Sequence, residues 1–134
     1  MTAIDEQRPS VGRGRARTVI TWLLQILGAA AFVAAGGSKL AGLPQMVGLF
    51  DQIGIGQWFR IVTGLLEVMG GLMLLVPGTA TYGGVMLALI MAAAAFTHVA
   101  VIGGNPVPAL VLLAVTAAVA WLRRGGLHAS FAPC

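Results

Sequence analysis

Ile61-Val62-Thr63-Gly64-Leu65-Leu66-Glu67-Val68-Met69-Gly70-Gly71-Leu72-Met73-Leu74-Leu75-Val76 is apolar from end to end except for Thr63, the glycines and one carboxyl, Glu67. Together with the residues just before it, the run reaches the roughly 20 residues that span a bilayer as a helix. A charge at the bilayer centre costs about 2.5 to 3.5 kcal/mol on insertion scales, so an acid placed there faces a partner or a cavity. Lys39, Arg60 and His98 are the partners the chain offers.

Working outward, hydrophobic residues make up 58% of the chain and charged residues 9%. Between Arg17 and Arg123 the formal charges are Lys39, Asp51, Arg60 and Glu67 alone, too few to form the surface of a soluble domain. An all-α polytopic membrane protein follows. Four stretches reach spanning length or nearly so: residues 19–40, 58–76, 82–102 and 106–122. Gly42-Leu43-Pro44, Pro77-Gly78 and Gly103-Gly104-Asn105-Pro106 break them apart, with Asn105 expected to cap the last span and Pro106 to open it. Short connections predict an antiparallel four-transmembrane-helix bundle over residues 18–122, flanked by a basic tail (1–17) and a second tail (123–134).

Arg8, Arg13, Arg15 and Arg17 precede the first span and Arg123 and Arg124 follow the fourth, so both termini are expected in the cytoplasm. The basic flanks are read as partners of membrane lipid, not of nucleic acid. Because the first apolar stretch runs on to Leu40, a retained helix is favoured over a cleaved leader. Cys134, the only cysteine, has no partner for an internal disulfide; His128 and Ser130 share its solvated tail, and Met1 to Ser10 is expected to be unstructured.

Between the first two spans, Met46, Leu49, Phe50 and Ile53 recur at helical spacing, with Asp51 and Gln52 opposite and Gly54 and Gly56 as the stop. A short interfacial helix is predicted, either a connector packed on the helices or a lid over a pocket, and Trp58 marks the headgroup level.

Depth follows from about 1.5 Å of rise per residue. Glu67 lies roughly 13 Å below Trp58, on the same face as Arg60, and His98 some 7 Å below Gly103. With Lys39 at the end of the first span, all four polar residues fall in the outer half of the membrane, and the interior polar groups are expected on that side alone. Gly64, Glu67 and Gly71 share one face, and Gly36 and Lys39 share another, so the seam between the first two spans is where Lys39 and Glu67 are expected to meet. Bland readings stand beside this one. Lys39 and Arg60 can snorkel to headgroups, Glu67 can be a neutral acid bonded to a helix, His98 can be an interhelical hydrogen-bond partner, and the methionines of the second and third spans read as packing.

The succession Gly36-Gly37-Ser38-Lys39-Leu40, Ile53-Gly54-Ile55-Gly56-Gln57-Trp58, Gly64-Leu65-Leu66-Glu67-Val68-Met69-Gly70-Gly71-Leu72-Met73-Leu74 and then His98 resembles the DoxX and DoxX-like membrane proteins. These are small bacterial four-helix proteins with a lysine ending helix one, a glycine and glutamate pair in helix two and often a histidine late in helix three. The resemblance runs from about Val19 to Leu122 and implies a multi-pass protein of the bacterial cell (inner) membrane. It also implies a place in thiosulfate- or quinone-linked redox chemistry, with Lys39, Glu67 and His98 lining a site for a small polar or quinone-like molecule. Four-helix thiol oxidoreductases are also similar, but no Cys-x-x-Cys is present and thiol exchange needs two sulfurs.

Paired intramembrane histidines for a haem are lacking, and so is a cluster of metal ligands, so neither haem nor metal is expected. With no nucleophile paired to a base, the chain is not expected to be an enzyme alone. Three functions follow: an accessory subunit of a redox complex, an assembly scaffold whose polar column is structural, and a small-solute pathway that would need oligomerisation. A protein partner or a homo-oligomer is expected.

Overall fold

The computed structural model describes residues 11–125, and the expectations placed on the first ten residues, His128, Ser130 and Cys134 lie outside that range. Among the described residues the chain is all helical: α1 (Val11–Ala41), α2 (Pro44–Ile53), α3 (Gln57–Leu75), α4 (Ala80–Thr97) running into a π-helical turn (His98–Ile102), and α5 (Val107–Arg123). α1, α3 and α4 with its π turn contain segments long and apolar enough to cross a membrane, and α5 is a shorter apolar helix. α1 begins well before residue 19, so residues 11–17 continue the first helix. Arginine and alanine are good helix formers, and Arg15 and Arg17 stand exposed on this extension. At the other end Pro106 precedes α5 instead of opening it, and the Asn105 side-chain oxygen accepts from the Val107 amide at 3.0 Å.

Each long helix packs on two others, α1 and α4 each touching both α3 and α5, so the four close a ring. Polarity is distributed inside out. Leu23, Leu27, Leu65, Leu89 and Phe96 are exposed, whereas Gln25, Glu67 and Thr116 are buried beside Phe32, Leu74, Leu87 and Val119. Water selects the opposite arrangement, and a surface of this kind suits hydrocarbon.

Small residues set the helix spacing. A Cβ on Gly36 would come within 2.6 Å of the Gly64 carbonyl oxygen, and one on Gly84 within 2.8 Å of the Thr116 carbonyl oxygen. Backbone therefore meets backbone at the α1–α3 and α4–α5 seams, and dispersion between close main chains replaces the hydrophobic drive that lipid does not supply. Gly42, at φ 70°, ends α1 in a left-handed conformation that lets the chain double back into α2.

Interior polarity is not confined to the Lys39 half. At the opposite end the buried Gln25 amide donates to the Leu74 carbonyl at 2.5 Å, and its oxygen accepts from Arg123 Nε (2.9 Å) and Nη2 (2.6 Å). Leu74 O belongs to the last turn of α3, where carbonyls lack helical partners, so a side chain from α1 caps α3. Arg123 is the last residue of α5 and turns inward, its guanidinium 5.2 Å from the Trp22 ring, instead of opening the terminal tail. The expectation of a one-sided polar column overlooked Gln25 because it followed charge, and an uncharged amide is equally bound to find partners inside.

Adjacent glycines test the close-approach reading. Gly36→Ala should cost about 1 to 3 kcal/mol through overpacking, while Gly37→Ala, which meets nothing within 4 Å, should change stability by less than about 0.5 kcal/mol. Thermal denaturation of both variants in one mild detergent measures the difference.

Candidate functional site

Lys39 lies in the last turn of α1 and Glu67 near the middle of α3, on helices drawn together at Gly36 and Gly64. Lys39 Nζ donates to Glu67 Oε2 at 2.8 Å, with the lysine side chain 13% exposed and the glutamate 3%. This contact takes up one ammonium proton and one carboxyl oxygen. The Lys39 protons that remain and Glu67 Oε1 have no hydrogen-bond partner among the described residues.

Those free groups face a cavity of about 380 Å³ lined by Lys39, Thr63, Glu67, Thr97 and His98, with Phe32, Phe50, Phe59, Met91 and Leu112 among its apolar walls. Its size falls within the range of small-molecule sites, as does the pattern of a few convergent polar groups in an apolar shell. Leu49, Phe50 and Ile53 of α2 form one wall, so the short helix covers the cavity besides joining α1 to α3. Phe50 meets Phe59 edge to face at 5.8 Å.

His98 opens the π turn, where the carbonyl of its own residue accepts from the Gly104 amide at 2.9 Å. The returning Gly103-Gly104 backbone lies so close that a Cβ on Gly104 would stand 3.0 Å from His98 Nδ1. Among the described residues, His98 Nδ1 is the one buried side-chain polar atom without a hydrogen-bond partner. An unsatisfied buried nitrogen costs roughly 1 to 3 kcal/mol, and π turns are frequent at functional sites.

Three of the four residues singled out from the sequence, Lys39, Glu67 and His98, thus line one cavity, and Arg60 does not. Arg60 Nη1 donates to the Lys39 carbonyl oxygen and Nε to Gln57 Oε1 at 2.7 Å. Gln57 Nε2 in turn donates to the Val47 carbonyl (3.1 Å) and to Asp51 Oδ1 (2.7 Å) of α2. Arg60 is outside the cavity lining, and its Nε and Nη1 are engaged by protein groups. It satisfies a terminal carbonyl of α1 and anchors the covering helix. Sequence reading missed this because the orphan carbonyls at the end of α1 are invisible in a residue-by-residue scan of charge. Gly36 and Gly64 lie at the α1–α3 contact, and Gly71 packs against Ala29 and Phe32 of α1.

Among the described residues no group of three or more histidine, cysteine, aspartate or glutamate side chains is placed to hold a metal ion. A protein-family model described as the DoxX-like family matches residues 23–123. Neither a curated protein nor a solved structure matches the chain.

The pair can be tested by stranding one partner. Lys39→Met should destabilise the protein by about 3 to 5 kcal/mol, and adding Glu67→Gln to that variant should recover most of the loss. A double-mutant cycle on thermal denaturation in detergent reads both steps.

Proposed function

The chain belongs to the DoxX-like family, and on that premise we propose that it is a four-helix protein of the bacterial cell membrane that holds a quinone-like headgroup as an accessory subunit of a redox complex. Both termini lie in the cytoplasm by the arginine rule, which puts the cavity in the outer half of the bilayer. The observation that carries the reading is the convergence of the Lys39–Glu67 pair and His98 on one largely apolar cavity. Lys39 presents donors to a carbonyl or anionic oxygen, Glu67 presents an acceptor to a hydroxyl, and His98 is the ring able to relay a proton to either. The apolar walls suit an aromatic ring. The family resemblance adds the redox association, quinone- or thiosulfate-linked. Electrons would come from the partner protein, since the chain offers no thiol pair and no paired intramembrane histidines for a haem.

A second reading is favoured by Arg60. Its bonds to Lys39 O and Gln57, with the mutual satisfaction of Lys39 and Glu67, are those of a scaffold whose polar groups lock helices together. The two readings part on a shape-preserving change. Wild type and Glu67→Gln, purified side by side in gentle detergent, are scored for co-purifying proteins and extractable quinones. Loss of quinone with an unchanged set of protein partners is expected; no change in either leaves the scaffold.

A further inference from the structure

The cavity shares a wall with a second feature. Leu66 and Ile90 line it, and they also line an open groove of about 590 Å³ along α3 and α4, completed by Thr81, Tyr82, Val85, Met86 and Leu89. The groove presents apolar surface only, since the Thr81 hydroxyl is turned to the Ala120 carbonyl of α5 at 3.5 Å. From Ile90 to Tyr82 it follows α4 for about 12 Å at helical rise, away from the cavity and toward the end where Gln25 and Arg123 meet. The cavity itself, at about 380 Å³, is of a size to hold a substituted ring.

Two sides of the cavity are occupied by protein. At the α1–α3 seam Gly36 and Gly64 bring backbones together, and α2 covers the site with Leu49, Phe50 and Ile53. Between Leu66 and Ile90 the polar cavity and the apolar groove adjoin, which is the arrangement an amphiphile needs: a polar head in one compartment and hydrocarbon in the next.

We propose that the ligand is a tailed amphiphile, its polar ring held among Lys39, Glu67 and His98 and its hydrocarbon tail passing between Leu66 and Ile90 to lie in the α3–α4 groove. The proposal rests on the headgroup site described above and adds the tail subsite and the portal. The portal opens sideways, so the ligand enters from the lipid phase and not from water. Any lipid chain can visit an exposed groove; the Leu66 and Ile90 wall it shares with the polar cavity makes this one part of a binding site.

The test uses the full-length protein in nanodiscs of one lipid composition, with decylubiquinone as the tailed probe and ubiquinone-0 as the tail-less one. Val85→Trp fills the groove without touching the cavity, Leu89→Trp is a second position for the same purpose, and Leu23→Trp places the same bulk on an exposed face of α1 away from the groove. With both probes counted as concentration within the nanodisc lipid, wild type should bind the tailed probe about tenfold more tightly, a difference of about 1.4 kcal/mol that dispersion contacts of the tail along the groove, and not its removal from water, must supply. Either groove variant should remove most of that preference and leave ubiquinone-0 binding unchanged, which also reports that the variant is folded; Leu23→Trp should behave as wild type. Equal affinity of wild type for both probes, or a tail preference that survives in the groove variants, would overturn the tail subsite alone. Failure of wild type to bind either probe would overturn the headgroup site and the tail subsite with it.

Discussion

The fold turns on one constraint: a carboxyl and an ammonium are brought together inside an apolar protein, and the backbones that carry them touch. Glu67 sits nearly three helical turns from the Lys39 end of α3, and the absence of side chains at Gly36 and Gly64 lets α1 approach near enough for a 2.8 Å contact. Widening that seam would loosen the pair, and a charge left without its partner in a low-dielectric interior carries the highest penalty. Helix spacing and electrostatics are therefore one property here. The same contact decides what remains available for binding, because each partner spends only part of its hydrogen-bonding capacity on the other.

Around this pair the polar groups divide labour. Arg60 and Gln57 serve the main chain, tying the end of α1 and the covering helix α2 to the start of α3. Gln25 and Arg123 do the same at the far end, where α1 caps α3 and α5 is drawn in beside Trp22. Lys39, Glu67 and His98 line the cavity together with the hydroxyl-bearing Thr63 and Thr97. A ring of four apolar helices so obtains two fixed ends and one polar chamber, with few polar residues left over.

Much of this was legible in the chain, and the physical reasons are particular. Helix positions follow from hydropathy because hydrocarbon admits little else, and α2 followed from the spacing of Met46, Leu49, Phe50 and Ile53. The meeting of Lys39 with Glu67 was suggested by glycines sharing their faces, since small residues mark where helices approach. The rotation of α4 was not legible: from Val85 to Phe96 it is apolar on every side, so no stripe distinguishes the face turned to α5 from the face turned to lipid. Gln25 and Arg60 escaped for a related reason. Their partners are the carbonyls of Leu74 and Lys39, and a carbonyl's need for a donor depends on where a helix stops, which side chains do not announce. The π turn at His98 likewise depends on the backbone returning through Gly103 and Gly104.

The unequal helices have a consequence for the surrounding lipid. α1 has 31 residues and α5 has 17; at helical rise α5 is about 25 Å long, short of a hydrocarbon core of about 30 Å. Arg123 is held to Gln25 by two hydrogen bonds, so its charge is not free to reach outward and make up the difference. A helix of that length suits a thin hydrocarbon layer, whereas the apolar run of α1, residues 19–40, reaches across a full one. Such a lopsided belt prefers a thin bilayer, or a neighbouring protein whose own short side can face it.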